Sequence, residues 1–323
     1  MQTENPAISL DQDLAEDLLY LEKRLGKTHA KLRLGIEVAS DPRVFGGGLN
    51  FFHPENWYST HALIRYCLKL SGLYWRGVKN AANFKLNHNT FKIPHLPQGL
   101  QDFTLLHLSD LHVDMNFETT RELARRIASL QYDICVLTGD YRANTFGSIK
   151  GAMDGMKIIM ESINAPVYGV LGNHDSIRMV PQLEKMGIHM LLNETVAIDR
   201  NDSRFYLAGI DDAHYFRVDN MEKTLKEIPE GDVSLLLSHT PEIFRQAAHA
   251  DFNIMLCGHT HGGQICLPGG IPITLDAKCP RYVGKGDWRY KNLQGYTSVG
   301  AGTSIVNVRL NCRPEITLHT FSR

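Results

Sequence analysis

The sequence predicts an α/β protein, and three observations lead to this fold class. Short runs of branched apolar residues recur along residues 90–323, helical stretches separate the early runs, and each run leads into polar residues. Runs of this length and composition are typical of strands buried in a sheet, which the intervening helices cover. In such folds the polar side chains that follow the strands meet at one edge of the sheet, where ligands bind.

The first segment, residues 1–50, is predicted to begin with a helix in the stretch SLDQDLAEDLLYLEKRLG. Its leucines recur at helical spacing, Ser9 or Asp11 can cap the first turn, and Gly26 is expected to end the helix. The glycines and the proline of FGGGLNFFHPENW, at 45–57, predict a loop.

The next segment, residues 54–82, is basic and amphipathic. No Asp or Glu occurs from Asn56 to Gln101, and basic residues recur at three- and four-residue steps. These are Arg65, Lys69, Arg76 and Lys79, and the apolar residues on the opposite side are Leu63, Tyr66, Cys67, Leu70, Leu73 and Tyr74. A helix of this kind, with Trp57 and Trp75 at headgroup depth, suits a membrane surface. A helix packed on the main domain, with its basic face in solvent, is the alternative.

The third segment, residues 90–323, carries the predicted strands. They are FTLLHLS at 103–109, ICVLT at 134–138, VYGVL at 167–171, RFYLAGI at 204–210, VSLLLSH at 233–239 and NIMLC at 253–257. Helices are expected at 118–130 and 150–162, between the early strands. We therefore divide the chain into an N-terminal helical extension, residues 1–89, and a main domain, residues 90–323.

Side chains that can bind a metal follow five of these strands. They are Asp110 and His112 in SDLHVD, Asp140 in GDYR, Asn173 in GNHD, His239 in SHT, and His259 and His261 in GHTH. Seven donors are more than one divalent transition ion binds, but two ions that share a carboxylate accommodate them. Two ions about 3.5–4 Å apart suit phosphoryl chemistry. His174, next to Asn173, is then left beside the ions without a metal to bind.

In this order the motifs D-x-H, GD, GNHD, a lone His and GHxH resemble those of the calcineurin-like metallophosphoesterases, across residues 90–323. The resemblance implies a four-layer α/β/β/α sandwich with both metals at the sheet edges. It implies that one ion is held by Asp110, His112, Asp140 and His261, and the other by Asp140, Asn173, His239 and His259. It also implies that Asp140 bridges the ions and that His174 protonates the leaving oxygen.

The segment GDYRANTFG departs from the GDxxDRG motif of the protein phosphatases in this family. In that motif the second aspartate orients the catalytic histidine, and here it is missing. Asp175 is the nearest substitute, or it serves the turn alone. Arg142 lies in the vacated region, where a guanidinium suits a phosphate oxygen, with plain surface exposure as the alternative. We therefore expect no protein phosphatase activity.

Composition excludes several classes of protein. With 21% charged residues and a formal net charge of −1, no nucleic-acid partner is expected. Six cysteines without a C-x-x-C pair indicate free thiols in a reducing compartment. The acidic N-terminus lacks a signal-peptide pattern, and no apolar run approaches the roughly 20 residues of a spanning helix. We expect a cytoplasmic protein that contacts the inner face of the membrane if residues 54–82 bind lipid.

The sequence thus predicts a hydrolase of phosphodiester or pyrophosphate bonds with two divalent ions. Manganese is the expected metal, with iron, zinc or cobalt as alternatives. The motifs SDLH, GNHD and GHTHGGQ, preceded by the basic segment, resemble those of a bacterial branch of this family. That branch includes the UDP-2,3-diacylglucosamine pyrophosphatases of lipid A synthesis. A nucleotide-diphospho-lipid is therefore one expected substrate. A soluble phosphodiesterase acting on nucleotides or small diesters is the alternative, and the oligomeric state stays open.

Overall fold

The computed structural model describes residues 6–38 and 58–323 of the chain. The predicted loop at 45–57 and Trp57 lie outside the described residues. The same holds for the side chains of the predicted caps Ser9 and Asp11.

Helices are concentrated in the first part of the chain and between the early strands. In chain order they are α1 (Pro6–Leu25), α2 (Lys27–Val38), α3 (Tyr58–Leu70), α4 (Tyr74–Ala81), α5 (Phe117–Ile127), α6 (Lys150–Met160), α7 (Val180–Lys185), α8 (Met221–Leu225) and α9 (Phe244–His249). The two helices predicted between the early strands are α5 and α6. Asn116 caps α5 by accepting hydrogen bonds from the backbone N–H groups of Glu118 and Thr119.

Strands outnumber helices in the second half. They are β1 (Lys85–Lys92), β2 (Thr104–Leu108), β3 (Ile134–Leu137), β4 (Val167–Gly169), β5 (Ile188–Met190), β6 (Glu194–Arg200), β7 (Ser203–Gly209), β8 (Ser234–Leu237), β9 (Ile254–Cys257), β10 (Cys266–Leu267), β11 (Ile271–Pro272), β12 (Gly286–Tyr290), β13 (Leu293–Thr297) and β14 (Glu315–Ser322). The six strands predicted from the sequence correspond to β2, β3, β4, β7, β8 and β9.

The described strands form two six-stranded sheets and a small hairpin, β10–β11. The order in the first sheet is β1-β14-β2-β3-β4-β5, and β2 to β5 run parallel. The order in the second sheet is β12-β13-β9-β8-β7-β6, with its four central strands parallel. Parallel neighbours need long crossovers, and α5, α6 and α7 provide them in the first sheet.

The two sheets pack face to face, and helices cover their outer faces. Successive side chains of a strand point to opposite faces. Leu105 of β2 and Leu235 of β8 accordingly share the core between the sheets. Leu106 packs outward in a core with residues of α5, α6 and α7, while Leu236 packs outward with Phe244 of α9. The expected four-layer α/β/β/α sandwich is confirmed.

The first two helices pack on the outer side of the first sheet. Leu21, Leu25 and Ala30 belong to the core that α5, α6 and α7 form there. Gly26, at φ +89°, ends α1 as predicted and lets the chain turn directly into α2. Helix α2 was not predicted, since its sequence has no strong apolar period.

Strand β1 begins at Lys85, inside the predicted helical extension of residues 1–89. It pairs in parallel with β14 over its whole length and so forms the edge of the first sheet. The division of the chain at residue 89 remains a prediction, and the sheet itself starts slightly before it.

The basic segment forms two helices rather than the single helix that its periodicity predicts. Gly72, at φ +70°, separates α3 from α4, because a left-handed residue cannot continue a right-handed helix. Both helices pack on the main domain, where Leu68 and Val78 contact the cluster of Val308 and Leu310. The alternative in which this segment packs on the main domain therefore holds for one face of α3 and α4.

The other side of α3 and α4 leaves large apolar side chains in solvent. Leu63, Tyr66, Leu70 and Trp75 are exposed. The basic residues are exposed as well, namely Arg65, Lys69, Arg76 and Lys79. Across residues 6–38 and 58–323, no helix has the length and hydropathy that crossing a membrane requires. Contact with a membrane surface remains a prediction.

Candidate metal centre

The loops that follow β2, β3, β4, β8 and β9 meet at one edge of the sandwich. Backbone hydrogen bonds join them: Asp110 N–H donates to Gly139 O at 3.0 Å, and Gly258 N–H donates to His239 O at 2.8 Å. The His174 N–H donates to Asp140 Oδ1 at 2.9 Å. All seven predicted ligands are buried at this edge, namely Asp110, His112, Asp140, Asn173, His239, His259 and His261.

Asp110, His112 and His261 form a first group of potential ligands. One ligand atom of each lies within 4.8 Å of the others. The Nε2 atoms of His112 and His261 are 3.1 Å apart, and His261 Nε2 is 3.5 Å from Asp110 Oδ1. Imidazole nitrogen and carboxylate oxygen are the ligands that divalent transition ions favour.

Asp140, His239 and His259 form a second group, also within 4.8 Å of one another. His239 Nε2 lies 3.2 Å from His259 Nδ1 and 3.3 Å from Asp140 Oδ2. Asn173 joins this group, with its Oδ1 2.8 Å from His239 Nε2. No residue of one group is assigned by the resemblance to the other ion alone, and the assignment of the ligands to two ions stays a prediction.

Asp140 lies between the two groups. Its Oδ2 is 3.3 Å from His239 Nε2 in the second group and 3.9 Å from His112 Nε2 in the first. The same oxygen is 3.9 Å from His174 Nε2. One carboxylate oxygen therefore faces both groups and the histidine that has no metal assigned to it.

The second group fits a cation because nitrogen and oxygen atoms with unshared electron pairs, from His239, Asn173 and Asp140, face one another. His239 Nδ1 lies 2.8 Å from the Thr138 carbonyl and donates to it, so in the neutral ring Nε2 carries a lone pair. That lone pair faces oxygen atoms of Asn173 and Asp140. His112 is oriented in the same way, with Nδ1 2.7 Å from Arg142 O. Backbone acceptors of this kind fix the tautomer of metal-binding histidines.

The pKa values of His239 and Asp140 are shifted by the opposite charges of neighbouring side chains. Burial lowers the pKa of His239, but the carboxylates of Asp140 and Asp110 outweigh burial and raise it to about 10. Burial raises the pKa of Asp140, but His239 and His174 outweigh burial and hold it well below its usual value. Positive charge on the neighbouring histidines thus favours the ionised form of this buried carboxylate.

Five of the seven predicted ligands have left-handed backbone conformations. Their φ angles are +50° at Asp110, +39° at His112, +57° at Asp140, +71° at His259 and +49° at His261. Such conformations cost about 1–3 kcal/mol each and persist where the surrounding structure imposes them, commonly at functional sites. A Cβ atom on Gly258 would overlap Ser109 Oγ and Asp110 Oδ2, so the glycine of GHTH is needed for the close approach of these loops.

His174 faces the metal centre and is oriented by a residue that the sequence did not reveal. Its Nδ1 lies 3.0 Å from Thr145 Oγ1. Thr145 lies five residues after Asp140, in the loop where the protein phosphatases have their second aspartate, but a single hydroxyl in a loop forms no motif. The structure thus places the Thr145 hydroxyl next to this ring nitrogen.

Asp175 and Arg142 instead hold the surrounding loops together. The Asp175 carboxylate accepts hydrogen bonds from the N–H groups of Asp140, Tyr141 and Gly172, at 2.7–2.9 Å. Arg142 is buried and donates to the carbonyl groups of His174, Thr145 and Gly147. Arg142 is thus no surface residue, and its guanidinium packs against the backbone of the His174 loop. The predicted phosphate contact of Arg142 and the predicted catalytic role of Asp175 stay predictions.

Two residues of helix α2, Arg33 and Glu37, contact the loop that follows His174. We call this pair the N-terminal clamp. Arg33 is fully buried, and its Nη2 donates to Asp175 O at 2.9 Å. Arg33 also forms two ion pairs, with its Nη1 3.2 Å from Glu37 Oε1 and its Nε 3.5 Å from Asp211 Oδ1. Glu37 accepts hydrogen bonds from the Ser176 hydroxyl at 2.6 Å and the Ile177 N–H at 2.7 Å. The clamp was not predicted. Arg33 and Glu37 are four residues apart, and ion pairs at this spacing are common on exposed helices, so the spacing alone does not indicate a buried contact.

Arg309 supports the GHTH loop in a comparable way and was also missed. It is fully buried, and its Nη1 donates to His261 O at 3.2 Å. Its Nη2 donates to Gly302 O at 2.6 Å and lies 3.2 Å from His261 Nδ1. A buried guanidinium with several backbone acceptors fixes the position of the histidine beside it.

A cavity of about 540 Å³, which we call the apolar chamber, opens beside the metal centre. At its metal end it is lined by Asp140, Asn173, His174, His259 and His261. Its walls are mainly apolar and include Leu63, Ile64, Leu68, Ile265, Ile273, Ile305 and Val306, with Thr274, Asp276 and Ser304 among the polar members. Helix α3 thus forms part of the wall.

Known proteins resemble the chain in sequence. Residues 103–263 match the calcineurin-like phosphoesterase family. The uncharacterized metallophosphoesterase YkoQ of Bacillus subtilis is 31% identical over 255 residues, which cover 76% of this chain and 93% of that protein. Phosphodiesterase YaeI of Escherichia coli is 29% identical, covering 67% and 81%. The UDP-2,3-diacylglucosamine pyrophosphatase LpxG of Chlamydia muridarum is 21% identical, covering 57% and 71%.

Proposed function

Since the chain belongs to the calcineurin-like phosphoesterase family, we propose that it cleaves a phosphodiester or pyrophosphate bond with two divalent ions that share Asp140. As a member of this family the protein is a metal-dependent hydrolase of phosphoric esters or anhydrides. The main support for the dinuclear centre is Asp140 Oδ2, which faces His112 Nε2 at 3.9 Å and His239 Nε2 at 3.3 Å. Manganese is the proposed metal, since the mixed nitrogen and oxygen donors suit it.

The proposed ligand sets follow the two groups. Asp110, His112, Asp140 and His261 hold one ion, and Asp140, Asn173, His239 and His259 hold the other. When bound, the ions supply Lewis acidity toward the phosphoryl oxygens and lower the pKa of a water molecule. The protein contributes the fixed positions of these donors, because the neighbouring backbone holds the ring nitrogens and the strained ligand loops.

His174 is proposed to donate a proton to the leaving oxygen. It lines the apolar chamber and its Nε2 is 3.9 Å from the shared oxygen of Asp140. Its other nitrogen is held by Thr145 Oγ1, so the ring presents Nε2 to a bound substrate. Proton transfer of this kind contributes about 10²–10⁴-fold to the rate.

Two substrate classes stand as candidates. A nucleotide-diphospho-lipid such as UDP-2,3-diacylglucosamine is supported by the likeness to LpxG and by the exposed basic and apolar residues of α3 and α4. It would place the enzyme in the cytoplasm at the inner face of the membrane. A soluble nucleotide or small diester is supported by the likeness to YaeI, which is named a phosphodiesterase.

Activity profiling of the purified protein tests the proposal. We expect the manganese-loaded enzyme to hydrolyse bis-p-nitrophenyl phosphate, and we expect a chelator to abolish this activity and added manganese to restore it. Side-by-side assays with UDP-2,3-diacylglucosamine and cyclic nucleotides separate the two substrate classes. Absence of metal-dependent turnover on every one of these compounds would contradict the proposed function.

A further inference from the structure

The apolar chamber indicates what kind of group the substrate carries beside its phosphate. We propose that the chamber binds an aliphatic chain of the substrate itself, so that the enzyme acts on phosphodiesters or pyrophosphates with a hydrocarbon substituent. This inference rests on the proposed function, since it places the phosphate of the same molecule at the metal centre.

The position of the chamber supports this occupant. His174, His259 and His261 of the metal centre line the same cavity as the apolar walls. A substrate whose phosphate binds at the metal centre can therefore place an attached group in the chamber. A cavity of about 540 Å³ lies within the range of small-molecule sites, which are mostly apolar with a few convergent polar groups.

The walls contain side chains that folding alone does not require to be apolar. Leu68 is 7% exposed and holds α3 on Val308 and Leu310. Leu63, on the same helix, is 62% exposed and lines the chamber instead, and so does Ile273, which is 58% exposed. Single exposed apolar residues are ordinary, but these come from separate chain segments and line one cavity.

The chemistry of the walls selects the occupant. A sugar or a nucleobase between Leu63 and Ile273 would lose hydrogen bonds to water without gaining partners, which costs free energy. An aliphatic chain gains free energy in the same place through the hydrophobic effect. Arg65 and Lys69 are exposed on α3, the helix that supplies Leu63, and their positive charge suits an anionic amphiphile.

A series of p-nitrophenyl alkyl phosphodiesters tests the assignment, with the alkyl group extended from methyl to octyl. All concentrations stay below micelle formation, so that the effect of one chain is measured. We expect kcat/KM to rise about fourfold for each added CH₂ until the chamber is filled, which corresponds to ~0.8 kcal/mol per CH₂. A value of kcat/KM that is independent of chain length overturns the inference.

Two chamber variants and a matched control locate the effect. Leu63→Glu and Ile273→Glu are each expected to lower the octyl-to-methyl ratio of kcat/KM at least tenfold. Leu70→Glu, on the same helix and 71% exposed but outside the chamber lining, is expected to retain the wild-type ratio. A ratio that falls equally in all three variants would assign the chain-length effect to the outer surface and overturn the inference. The wild-type series decides the question if a variant does not fold.

The methyl diester separates this inference from the proposed function. If the metal-loaded enzyme hydrolyses the methyl compound and longer chains bring no gain, only the aliphatic site is wrong. If the metal-loaded enzyme hydrolyses neither any diester of the series nor UDP-2,3-diacylglucosamine, the proposed function itself fails.

Discussion

Helices α2 and α3 border the surroundings of the metal centre in different ways. The fully buried Arg33 of helix α2 contacts the loop that follows His174, whereas α3 borders the apolar chamber and leaves Leu63, Tyr66 and Leu70 exposed. Buried ion pairs tolerate little change, because removal of one partner leaves the other uncompensated. Apolar walls tolerate exchange of similar side chains. We therefore expect changes at Arg33 to disturb the loop beside the metal centre and changes on α3 to alter substrate preference.

The largest effect is expected at His174, which precedes the Asp175 carbonyl that Arg33 contacts and lines the chamber that α3 borders. His174→Ala should lower kcat about 10²–10⁴-fold on diesters with poor leaving groups, because proton donation is lost. p-Nitrophenyl esters need little protonation, so their loss should be much smaller. Steady-state kinetics on the two ester types checks this, with metal content as the control. Equal loss on both types would contradict the acid role.

The next effect concerns the N-terminal clamp. Arg33→Met should destabilise the protein by about 3–5 kcal/mol, because Asp211 and Glu37 lose the cation between them. Lys31→Met is the matched control on the same helix, since Lys31 is exposed and its ion pair with Glu22 should be worth at most about 1 kcal/mol. Urea unfolding measures both variants. Similar losses in the two would show that α2 is merely a surface helix.

A smaller effect is expected from the hydroxyl that orients His174. Thr145→Val should lower kcat on poor leaving groups by up to about tenfold, the worth of one hydrogen bond. Thr145→Ser keeps the hydroxyl and should restore most of the rate. If Thr145→Val reduces turnover on p-nitrophenyl esters by the same factor, Thr145 has a general structural role and does not act through the proton donor.

The smallest expected effect concerns the exposed basic residues of α3 and α4. Lys69→Gln should weaken binding to anionic vesicles about fivefold, since one basic residue near such a surface contributes ~1 kcal/mol. Vesicle sedimentation at low and high salt measures the affinity, with neutral vesicles as the control. Equal binding of the wild type to neutral and anionic vesicles would argue that the basic residues are only solvated.

Sequence patterns predicted the parts of the molecule that depend on local order. The central strands are continuous apolar runs, and Asp110 or Asn173 can be located because each follows such a run directly. The edge strand β1 was missed, since in KLNHNTFK only Phe91 is buried and most side chains are polar. The single helix predicted through Gly72 was wrong, because its apolar period continues on both sides of a glycine that takes a left-handed conformation.

Contacts between distant segments could not be predicted in this way. Arg33 and Asp211 are 178 positions apart, and nothing in either local stretch indicates the other. Thr145 and Arg309 act through hydrogen bonds to ring or backbone atoms of distant residues, and such bonds leave no periodic pattern in the sequence. These residues become visible only when the folded loops bring them to the metal centre.

The manganese content of the folded chain tests the dinuclear centre most directly. Metal-free protein is titrated with Mn²⁺ and the bound metal is determined by elemental analysis, for the wild type and for Asp140→Asn. We predict about two ions per wild-type chain and at most one in the variant, because both groups lose their shared carboxylate. One ion per wild-type chain, or two ions held with undiminished affinity by Asp140→Asn, would contradict the account.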